Sequence, residues 1–422
     1  MIEPQTLSPA LSQRERRKTK EFVGQKCGQD VRAPKEVIQT GYTPPRDLKR
    51  VSTLALAVGA LFFALFGLGL LVDRAQFFHA YLVGFIFWIG LTVGSMALLM
   101  LQHLTGGAWG LIIRRALEAA SRTLPLMLIM FIPLLLGLNQ IYSWTDRQAM
   151  DRVPALREKT AHYLNSGFFT IRAAVYFAIW LLIMWVLNSW SLQHDRTADR
   201  RFAKRLQMMS GPGLGLLIIT ITFAAIDWVM SLDPAWSSTI FGLIFVASWS
   251  LSALAFGILV MSWLSKREPM NEVVRTSHFH DWGNLMMALV MLWMYFAFSQ
   301  YLIIWSANLP EETTWYVARK HDGWGIIALG IVILQFMFPF LTLLSRAAKK
   351  SPHKLGMLAL LILITRVVDV VWLIEPTYNR ERFHFSWMDI VAPIAMGGIW
   401  IGTFAWQLQK RSLIPINDPQ LE

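Results

Sequence analysis

The sequence predicts an all-α integral membrane protein with ten transmembrane helices. Of its 422 residues, 55% are hydrophobic and 16% are charged, whereas a soluble domain contains about 25% charged residues. The apolar residues are concentrated in blocks of about 20, the length that a helix needs to cross a hydrocarbon core of about 30 Å. Ten such blocks succeed one another along the chain: 51–72, 80–102, 123–143, 170–190, 213–230, 239–263, 284–306, 323–345, 354–374 and 387–408.

The lysine and arginine residues are unequally divided between the two sides that these spans connect. The side with both chain termini carries 28 of them, and the opposite side carries nine. Because the cytoplasmic segments of membrane proteins carry the excess of positive charge, both termini are predicted to be cytoplasmic. The net charge of +12 therefore reflects membrane orientation, and no nucleic-acid partner is expected.

The same pattern divides the chain into three regions. Residues 1–50 hold 11 Lys and Arg and several prolines, which is typical of a mostly extended cytoplasmic arm. Residues 51–408 form the ten-helix transmembrane domain, and residues 409–422 form a cytoplasmic tail. Within the domain, residues 105–122 alternate apolar and charged side chains, which predicts an amphipathic helix on the cytoplasmic membrane surface. The connection 144–169 is predicted to be helical in part.

Several ionisable side chains fall inside the predicted spans. At about 1.5 Å of rise per residue, Asp227 lies roughly 21 Å along span 5 from Gly213, in the outer half of the membrane. Arg366 and Asp369 are three residues apart in span 9, so they share one helical face and are expected to pair. Charged residues at such depth usually face the protein interior as pairing partners or proton carriers. Arg172, near the outer end of span 4, is expected to extend its charge to the surface.

Depth along the helices predicts two groups of proton-path candidates. The outer group contains Asp227, Arg366, Asp369, Tyr295 and Gln300, with Asp233 and Glu375 at the outer ends of spans 5 and 9. The inner group contains His103, His278, His280 and Asp281. Histidine titrates near neutral pH, so the inner group could load protons from the cytoplasm. A structural alternative stays open for both groups: buried ion pairs that fix helix packing, or a hydrated helix start.

No cofactor or metal site is predicted within the chain. The single cysteine, Cys27, excludes an internal disulfide, a cysteine-ligated iron–sulfur cluster and a Cys-x-x-Cys-His haem site. All nine histidines lie in predicted loops or at span ends, so none is placed as an axial ligand of a haem between facing helices. The sequence also lacks a Gly-x-x-x-x-Gly-Lys-Ser/Thr phosphate loop. Any electron carriers are therefore expected in partner subunits.

Two stretches resemble a known family. The first is His103–Gly110 (HLTGGAWG), followed by Arg114 and Arg115. The second is Asp227–Pro234 (DWVMSLDP), followed by Trp236, Ser238 and Thr239. Together they resemble the second quinone-binding-type membrane subunit of alternative complex III. That complex is a quinol:cytochrome c oxidoreductase of the bacterial inner membrane, and membrane subunits of this type are related to the NrfD and polysulfide reductase membrane proteins.

The resemblance, which extends from about Val51 to the last span, implies two four-helix bundles, spans 2–5 and 6–9, with spans 1 and 10 outside them. It implies assembly with a homologous NrfD-like membrane subunit, an iron–sulfur protein, c-type cytochrome subunits and membrane lipids, with a terminal oxidase as a further candidate partner. The NrfD-like homologue is implied to hold the working quinol site, so the quinone or quinol (menaquinone or ubiquinone) belongs to the complex. This chain would contribute to proton conduction and assembly without being catalytic alone, and a quinone contact of its own is left open.

Two other functions remain open from the sequence. A proton- or ion-coupled secondary transporter would also carry buried charges, but such proteins often have broken helices in matching positions of two halves. Gly211-Pro212-Gly213 lies at a span boundary, and Pro125 and Pro133 both lie in span 3, so no matching pair of breaks is evident. The last hypothesis is a structural membrane scaffold whose ion pairs only hold helices together.

Overall fold

The computed structural model describes residues 45–150, 154–268, 270–321, 323–379 and 383–415. These residues form helices and connections without a β-strand. Ten of the helical segments are long and apolar enough to cross a membrane, which confirms the predicted number. They are Asp47–Val72 (span 1), Arg74–Thr105 (span 2), Ala108–Leu136 (span 3), Ser166–Thr197 (span 4), Arg200–Leu232 (span 5), Phe241–Leu264 (span 6), Thr276–Ala307 (span 7), Trp324–Leu344 (span 8), Pro352–Thr377 (span 9) and Met388–Gln409 (span 10).

Five spans are built from more than one helix. Their parts are Arg46–Gly67 and Gly69–Val72 in span 1, Ala108–Ser121 and Leu124–Leu136 in span 3, Arg200–Trp228 and the 3-10 helix Met230–Leu232 in span 5, Trp324–Ile331, the π-helix Val332–Met337 and Phe338–Leu344 in span 8, and Pro352–Ile374 and the 3-10 helix Glu375–Thr377 in span 9. The connections hold the short helices Leu138–Ile141, Ser143–Thr145, Arg147–Met150, Pro154–His162, Met270–Val273, Pro310–Ala318 and Arg346–Lys350.

The polar ends of the chain extend beyond the described residues. Of the predicted arm, residues 1–44 with Cys27 lie outside them, and span 1 already begins at the end of that arm. The predicted tail is described as far as residue 415. The connection 144–169 is helical in part, as predicted, with residues 151–153 outside the described ranges.

Most spans begin earlier or end later than the apolar blocks, because capping residues extend the helices beyond the hydrophobic stretch. The Asp73 side chain accepts a hydrogen bond from the backbone N–H of Gln76 at the start of span 2. Asn165 caps Phe168 at the start of span 4 in the same way. Such caps satisfy backbone N–H groups that have no partner within the helix. Span 2 ends at Thr105 and is followed by Gly106, whose φ of 66° suits a residue without a β-carbon.

Contacts of residues in span 10 show which span ends lie together. Arg122 donates to the Gln407 carbonyl oxygen at 2.8 Å, beside the end of span 10. At the other ends of the spans, Gln76 donates to Asp389 Oδ1 at 2.9 Å. We call the side on which span 1 begins and span 10 ends the termini side, and the opposite side the far side.

Span 2 lies at the centre of the molecule. Its most apolar segment is entirely buried, and it packs against spans 3, 5, 6, 9 and 10. At Gly94, an added β-carbon would lie 2.1 Å from the carbonyl oxygen of Trp249 in span 6. Glycine at this position therefore lets spans 2 and 6 approach each other closely, as small residues do in membrane helices.

Span 1 packs along span 10 at the edge of the molecule. An added β-carbon at Gly398 would lie 2.4 Å from the backbone of Gly59, and one at Gly59 would lie 2.6 Å from the backbone of Ile399. The outer face of span 1 carries exposed apolar residues such as Leu61 and Leu71. One face of span 1 therefore packs closely against the backbone of span 10, and its other face is exposed.

Residues 105–122 contain a helix, Ala108–Ser121, as predicted, but its position on a surface is wrong. Residues 110–121 are buried inside the protein. The reason is that the charges of Arg114, Arg115 and Glu118 are paired inside the protein, so the polar face of this amphipathic helix does not need water.

Candidate functional site

A buried ion pair joins spans 4 and 5 near the far side. Arg172 donates from Nε to Asp227 Oδ2 at 2.8 Å and from Nη2 to Asp227 Oδ1 at 2.9 Å. The Tyr176 hydroxyl donates to Asp227 Oδ2 at 2.7 Å. The bidentate arrangement fits the planar guanidinium to the carboxylate. We call these three residues the Asp227 network.

The position of Arg172 corrects the sequence prediction. Its side chain does not extend to the surface, because Asp227 holds it at 9% exposure. The guanidinium also lies 3.9 Å from the ring centre of Tyr163 and 4.4 Å from that of Phe168. Burial and the negative charge of Asp227 raise the pKa of Tyr163 above its usual range. The Tyr163 hydroxyl therefore stays neutral beside the pair.

The chain reverses immediately after Asp227, and hydrogen bonds fix the turn. Ser231 donates to the Asp227 carbonyl oxygen at 2.5 Å. From the connection after span 3, Tyr142 donates to the Trp228 carbonyl oxygen at 3.0 Å. Asp233, a predicted candidate in this turn, is 7% exposed. The residues of the DWVMSLDP stretch thus position the Asp227 carboxylate between two spans.

The predicted outer group does not form one cluster. Arg366 and Asp369 form an ion pair within span 9, which confirms their predicted pairing. Gln300 bonds elsewhere: its Oε1 accepts from the Ser238 hydroxyl at 2.8 Å, and its Nε2 donates to the Tyr316 hydroxyl at 3.2 Å.

Tyr295, the last member of the predicted outer group, is 64% exposed on span 7. Its depth along span 7 grouped it with the others, but it lies on the outward face of that helix.

Burial raises the pKa of Tyr316, the partner of Gln300, to about 12. That hydroxyl therefore remains a neutral hydrogen-bonding group in the connection after span 7.

Glu375 belongs to a separate far-side group. Its side chain is fully buried, and Gln76 Nε2 lies 3.5 Å from Glu375 Oε2 and 2.9 Å from Asp389 Oδ1. Nearby, the His79 ring stacks on the Tyr378 ring with centres 3.3 Å apart. Burial raises the pKa of Tyr378 above its usual range. This group joins spans 2, 9 and 10.

The termini side holds a larger charged network. Glu118 accepts from Arg114 at 3.1 Å, from Arg115 at 2.6 Å, from Arg411 at 3.2 Å and from the Ser191 hydroxyl at 2.6 Å. Arg115 also pairs with Asp195. We call these six residues the Glu118 network. Because Glu118 is only 1% exposed, its charge is balanced by arginines rather than by water.

The predicted inner histidines take different places. His103 at the end of span 2 interacts electrostatically with Arg114 and Glu118, so it borders the Glu118 network. His278 is 2% exposed, and its Nδ1 accepts from the Arg275 backbone N–H at 3.1 Å at the start of span 7.

His280 and Asp281 lie at the more exposed start of the same span. Their Nδ1 and Oδ1 atoms are 3.6 Å apart, and the side chains are 29% and 49% exposed. This arrangement is that of a hydrated helix start, the alternative left open by the sequence.

One face of span 4 carries six polar residues, four of which belong to the two networks. From the far side these residues are Arg172, Tyr176, Trp180, Asn188, Ser191 and Asp195. Trp180 Nε1 donates to Thr220 Oγ1 of span 5 at 2.8 Å, and Asn188 Nδ2 donates to Ser121 Oγ of span 3 at 3.0 Å. The stripe extends roughly 35 Å along the helix. Between Trp180 and Asn188 it is interrupted for about 12 Å, where Ile183 and Leu187 are buried.

Sequence reasoning missed Arg172, Tyr176 and the Glu118 network as interacting groups. Two local signals were available. Arg172 and Tyr176 are four residues apart, and Glu118 is four residues from Arg114 and three from Arg115, so each set shares a helical face. The partners Asp195 and Arg411 are distant in sequence and carried no such signal.

Comparison with protein-family models finds no match to this chain, and comparison with curated proteins finds none either.

Proposed function

We propose that this chain is a membrane subunit of a respiratory quinol:cytochrome c oxidoreductase of the alternative complex III type, where it conducts protons and supports assembly. The observation that carries the proposal is the pair of buried charged networks near opposite ends of span 4. Ionisable groups buried at membrane depth are costly and commonly mark proton or ion pathways. The resemblance of the HLTGGAWG and DWVMSLDP stretches to the second quinone-binding-type membrane subunit supplies the identity of the complex.

The proton route in this proposal follows the polar face of span 4. The Glu118 network, with His103 beside it, would exchange protons with the cytoplasm. The Asp227 network would exchange them with the opposite side. In the apolar interval between Trp180 and Asn188, transfer requires a chain of water molecules, because the buried Ile183 and Leu187 offer no exchangeable proton.

The topology that belongs to this proposal has two four-helix bundles, spans 2–5 and 6–9, with both termini cytoplasmic in a bacterial inner membrane. Span 2 packs on spans 3 and 5 within the first proposed bundle, span 6 packs on spans 7 and 9 within the second, and spans 2 and 6 pack on each other between them. The excess of Lys and Arg on the termini side supports the orientation. The NrfD-like homologue, the iron–sulfur protein and the c-type cytochromes would supply the quinol site and the electron carriers.

The test uses the whole purified complex in liposomes, with a short-chain quinol and cytochrome c. The double variant Arg172→Gln/Asp227→Asn removes both charges, so neither partner is left buried alone. The expected result is an assembled complex with lower proton release per electron transferred. A matched control is Asp47→Asn, because Asp47 is 54% exposed and pairs with a partly exposed arginine, Arg267.

Two results would contradict the proposal. A double variant with unchanged proton release per electron would remove Asp227 from any proton route. Purification of the tagged chain without haem-bearing and iron–sulfur subunits would remove the assignment to a respiratory complex. The transporter alternative would then gain weight.

A purely structural role is the second candidate, and a specific observation favours it. The Asp227 carboxylate already accepts three hydrogen bonds, two of them from Arg172. Hydrogen bonds from two residues of a neighbouring span fix this carboxylate in place, as expected for a pair that joins helices. The double variant separates the two roles, because a structural pair would change assembly or stability and leave the proton-to-electron ratio of the surviving complex intact.

A further inference from the structure

Two buried carboxyl groups on the far side have no basic partner among the described residues. The buried carboxylates of Asp227, Asp369 and Glu118 are each paired with at least one arginine. Glu375 and Asp389 are 0% and 1% exposed, and neither forms an ion pair with a lysine, arginine or histidine that the structure describes. We call Glu375 and Asp389 the far-side carboxyl pair.

One amide group bridges the far-side carboxyl pair. Gln76 Nε2 donates to Asp389 Oδ1 at 2.9 Å and lies 3.5 Å from Glu375 Oε2. The two carboxylate oxygens are therefore at most about 6.4 Å apart, the sum of these distances. Spans 2, 9 and 10 supply one residue each, so the two carboxyl groups meet only when these spans are packed together.

Two negative charges at this separation are not stable together in a buried site. Burial disfavours an ionised carboxyl group, and a like charge within about 4–6 Å disfavours it further. The arginines that balance the other buried carboxylates have no counterpart at this pair within the described part of the chain. At least one carboxyl group of the pair therefore keeps its proton at neutral pH, as in enzymes whose two catalytic carboxylates share one proton.

The hydrogen bonds indicate which member keeps the proton. Asp389 Oδ2 accepts from the Ser386 backbone N–H at 2.8 Å, and its Oδ1 accepts from Gln76. Both bonds favour the ionised form of Asp389. Glu375 has only the long contact with Gln76, and its buried Oε1 has no partner among the residues described. The arrangement is therefore a neutral Glu375 beside an ionised Asp389.

Three further titratable side chains surround the pair. His384, exposed in the connection before span 10, interacts electrostatically with Asp389. The hydroxyl of Tyr378 interacts in the same way with Glu375, and the ring of Tyr378 stacks on His79 of span 2. The buried Tyr378 hydroxyl and His79 Nδ1 also have no hydrogen-bond partner within the described ranges. Buried polar atoms of this kind are commonly satisfied by bound water.

A pocket of about 280 Å³ lies beside this group on the far side. Its lining includes Tyr378, Tyr142 and polar residues of the connection after span 3, so it is large and polar enough to admit water. Tyr142 donates to the Trp228 carbonyl oxygen, one residue after Asp227. Tyr378 interacts electrostatically with both Tyr142 and Glu375. Tyr378 is therefore near the pocket, the far-side carboxyl pair and the turn that carries Asp227.

We propose that the far-side carboxyl pair is a proton-binding site, which holds one proton at neutral pH and passes a second one to water in the pocket. Binding of the second proton to Asp389 makes the pair neutral. Its transfer to water restores the negative charge of Asp389 and leaves Glu375 protonated. The Tyr378 hydroxyl, which can donate and accept, is the relay to the pocket. The release step rests on the proton-conduction role proposed above, whereas the shared proton follows from the pair itself.

Infrared spectroscopy of the full-length chain at neutral pH tests the shared proton, because protonated and ionised carboxyl groups absorb at different frequencies. Glu375→Gln should remove the C=O absorption of one protonated carboxyl group. The control Glu311→Gln should remove only carboxylate absorption, because Glu311 is exposed in the connection after span 7, also on the far side. Loss of only carboxylate absorption in Glu375→Gln would overturn the proposal.

Asp389→Asn tests whether the two carboxyl groups interact. Without the neighbouring negative charge, Glu375 should lose its proton more easily, so its C=O absorption should disappear at a pH lower by about one unit or more. An unchanged titration of this absorption would show that the two groups are independent, and it would overturn the shared proton.

The release step is tested with the whole complex in liposomes. Tyr378→Phe keeps the ring that stacks on His79 and removes the hydroxyl, so proton release per electron should fall, as it should in Glu375→Gln. An unchanged ratio in both variants, in a complex where Arg172→Gln/Asp227→Asn lowers it, would overturn the release step and leave the role of Asp227 intact. An unchanged ratio in that double variant as well would contradict proton conduction itself, and the infrared result would still decide the shared proton.

Discussion

Two buried arginine–aspartate pairs in this protein are built in opposite ways. Arg172 and Asp227 come from different spans, and their bond connects span 4 to span 5. Arg366 and Asp369 are three residues apart, and their bond lies within span 9. Both pairs are almost completely buried, so burial alone does not distinguish them.

The difference concerns what each pair does when helices separate. A helix that leaves the bundle but stays in the membrane keeps the Arg366–Asp369 pair, because both partners travel with it. The Arg172–Asp227 pair is lost in the same event, and two charges are left in lipid. Since helix association is measured against inserted, separated helices, only the pair between spans contributes strongly to the tertiary fold.

Breaking the pair between spans should have the largest effect. Asp227→Asn leaves the buried Arg172 charge uncompensated, so we expect a loss of about 3–5 kcal/mol in the free energy of unfolding. Chemical unfolding in detergent micelles measures this loss. The double variant Arg172→Leu/Asp227→Leu should recover most of it, because no lone charge remains. A double variant as unstable as the single one would show that the pair itself, rather than charge balance, stabilises the contact.

A contact between spans that contains no charge offers the next comparison. Gly398→Ala would bring a β-carbon within 2.4 Å of the Gly59 backbone, so spans 1 and 10 must move apart. Overpacking of this kind costs about 1–3 kcal/mol, measurable by the same unfolding experiment. The control is Gly67→Ala, since a β-carbon there meets no atom within 4 Å. Equal destabilisation by both variants would argue against close packing at Gly398.

The pair within span 9 should be the weaker of the two ion pairs. Asp369→Asn leaves Arg366 without its counter-ion in both the folded and the separated state, so most of the cost cancels. We expect a change of about 1 kcal/mol in unfolding free energy. A loss as large as that of Asp227→Asn would mean that Asp369 also bonds to another span in the membrane.

The smallest effect belongs to an exposed pair. Arg267 Nε lies 3.3 Å from Asp47 Oδ2, and the side chains are 30% and 54% exposed. Water and salt screen such a pair, so Asp47→Asn should change the stability by less than about 1 kcal/mol. Thermal unfolding at low and high salt measures it, and a larger or salt-independent effect would place this pair in a drier setting than its exposure indicates.

Much of the fold was predictable, because membrane insertion depends on local sequence. The number of spans follows from apolar blocks of fixed length, and the pairing of Arg366 with Asp369 follows from their spacing on one helix. The fate of residues 105–122 was not predictable in this way. Their alternating pattern suits either a membrane surface or a protein interior with charged partners, and those partners, Asp195 and Arg411, are remote in sequence.

The candidate site shows the same limit. Depth estimated from helical rise placed Asp227, Asp369, Tyr295 and Gln300 at comparable heights, but height says nothing about which way a helical face points. Tyr295 faces outward, while Gln300 is buried at 4% exposure. Arg172 was not identified as the partner of Asp227, because the two are 55 residues apart and no local pattern specifies the rotation of span 4.

By itself, the sequence determined what a single helix can decide: which segments are apolar enough to span, and which charges meet within one turn. The tertiary structure decided which faces of different spans meet, and so paired Asp227 with Arg172 and surrounded Glu118 with three arginines. The physical reason is that hydrophobicity and helical periodicity act over a few residues, whereas helix rotation and packing depend on the summed fit of many side chains from distant parts of the chain.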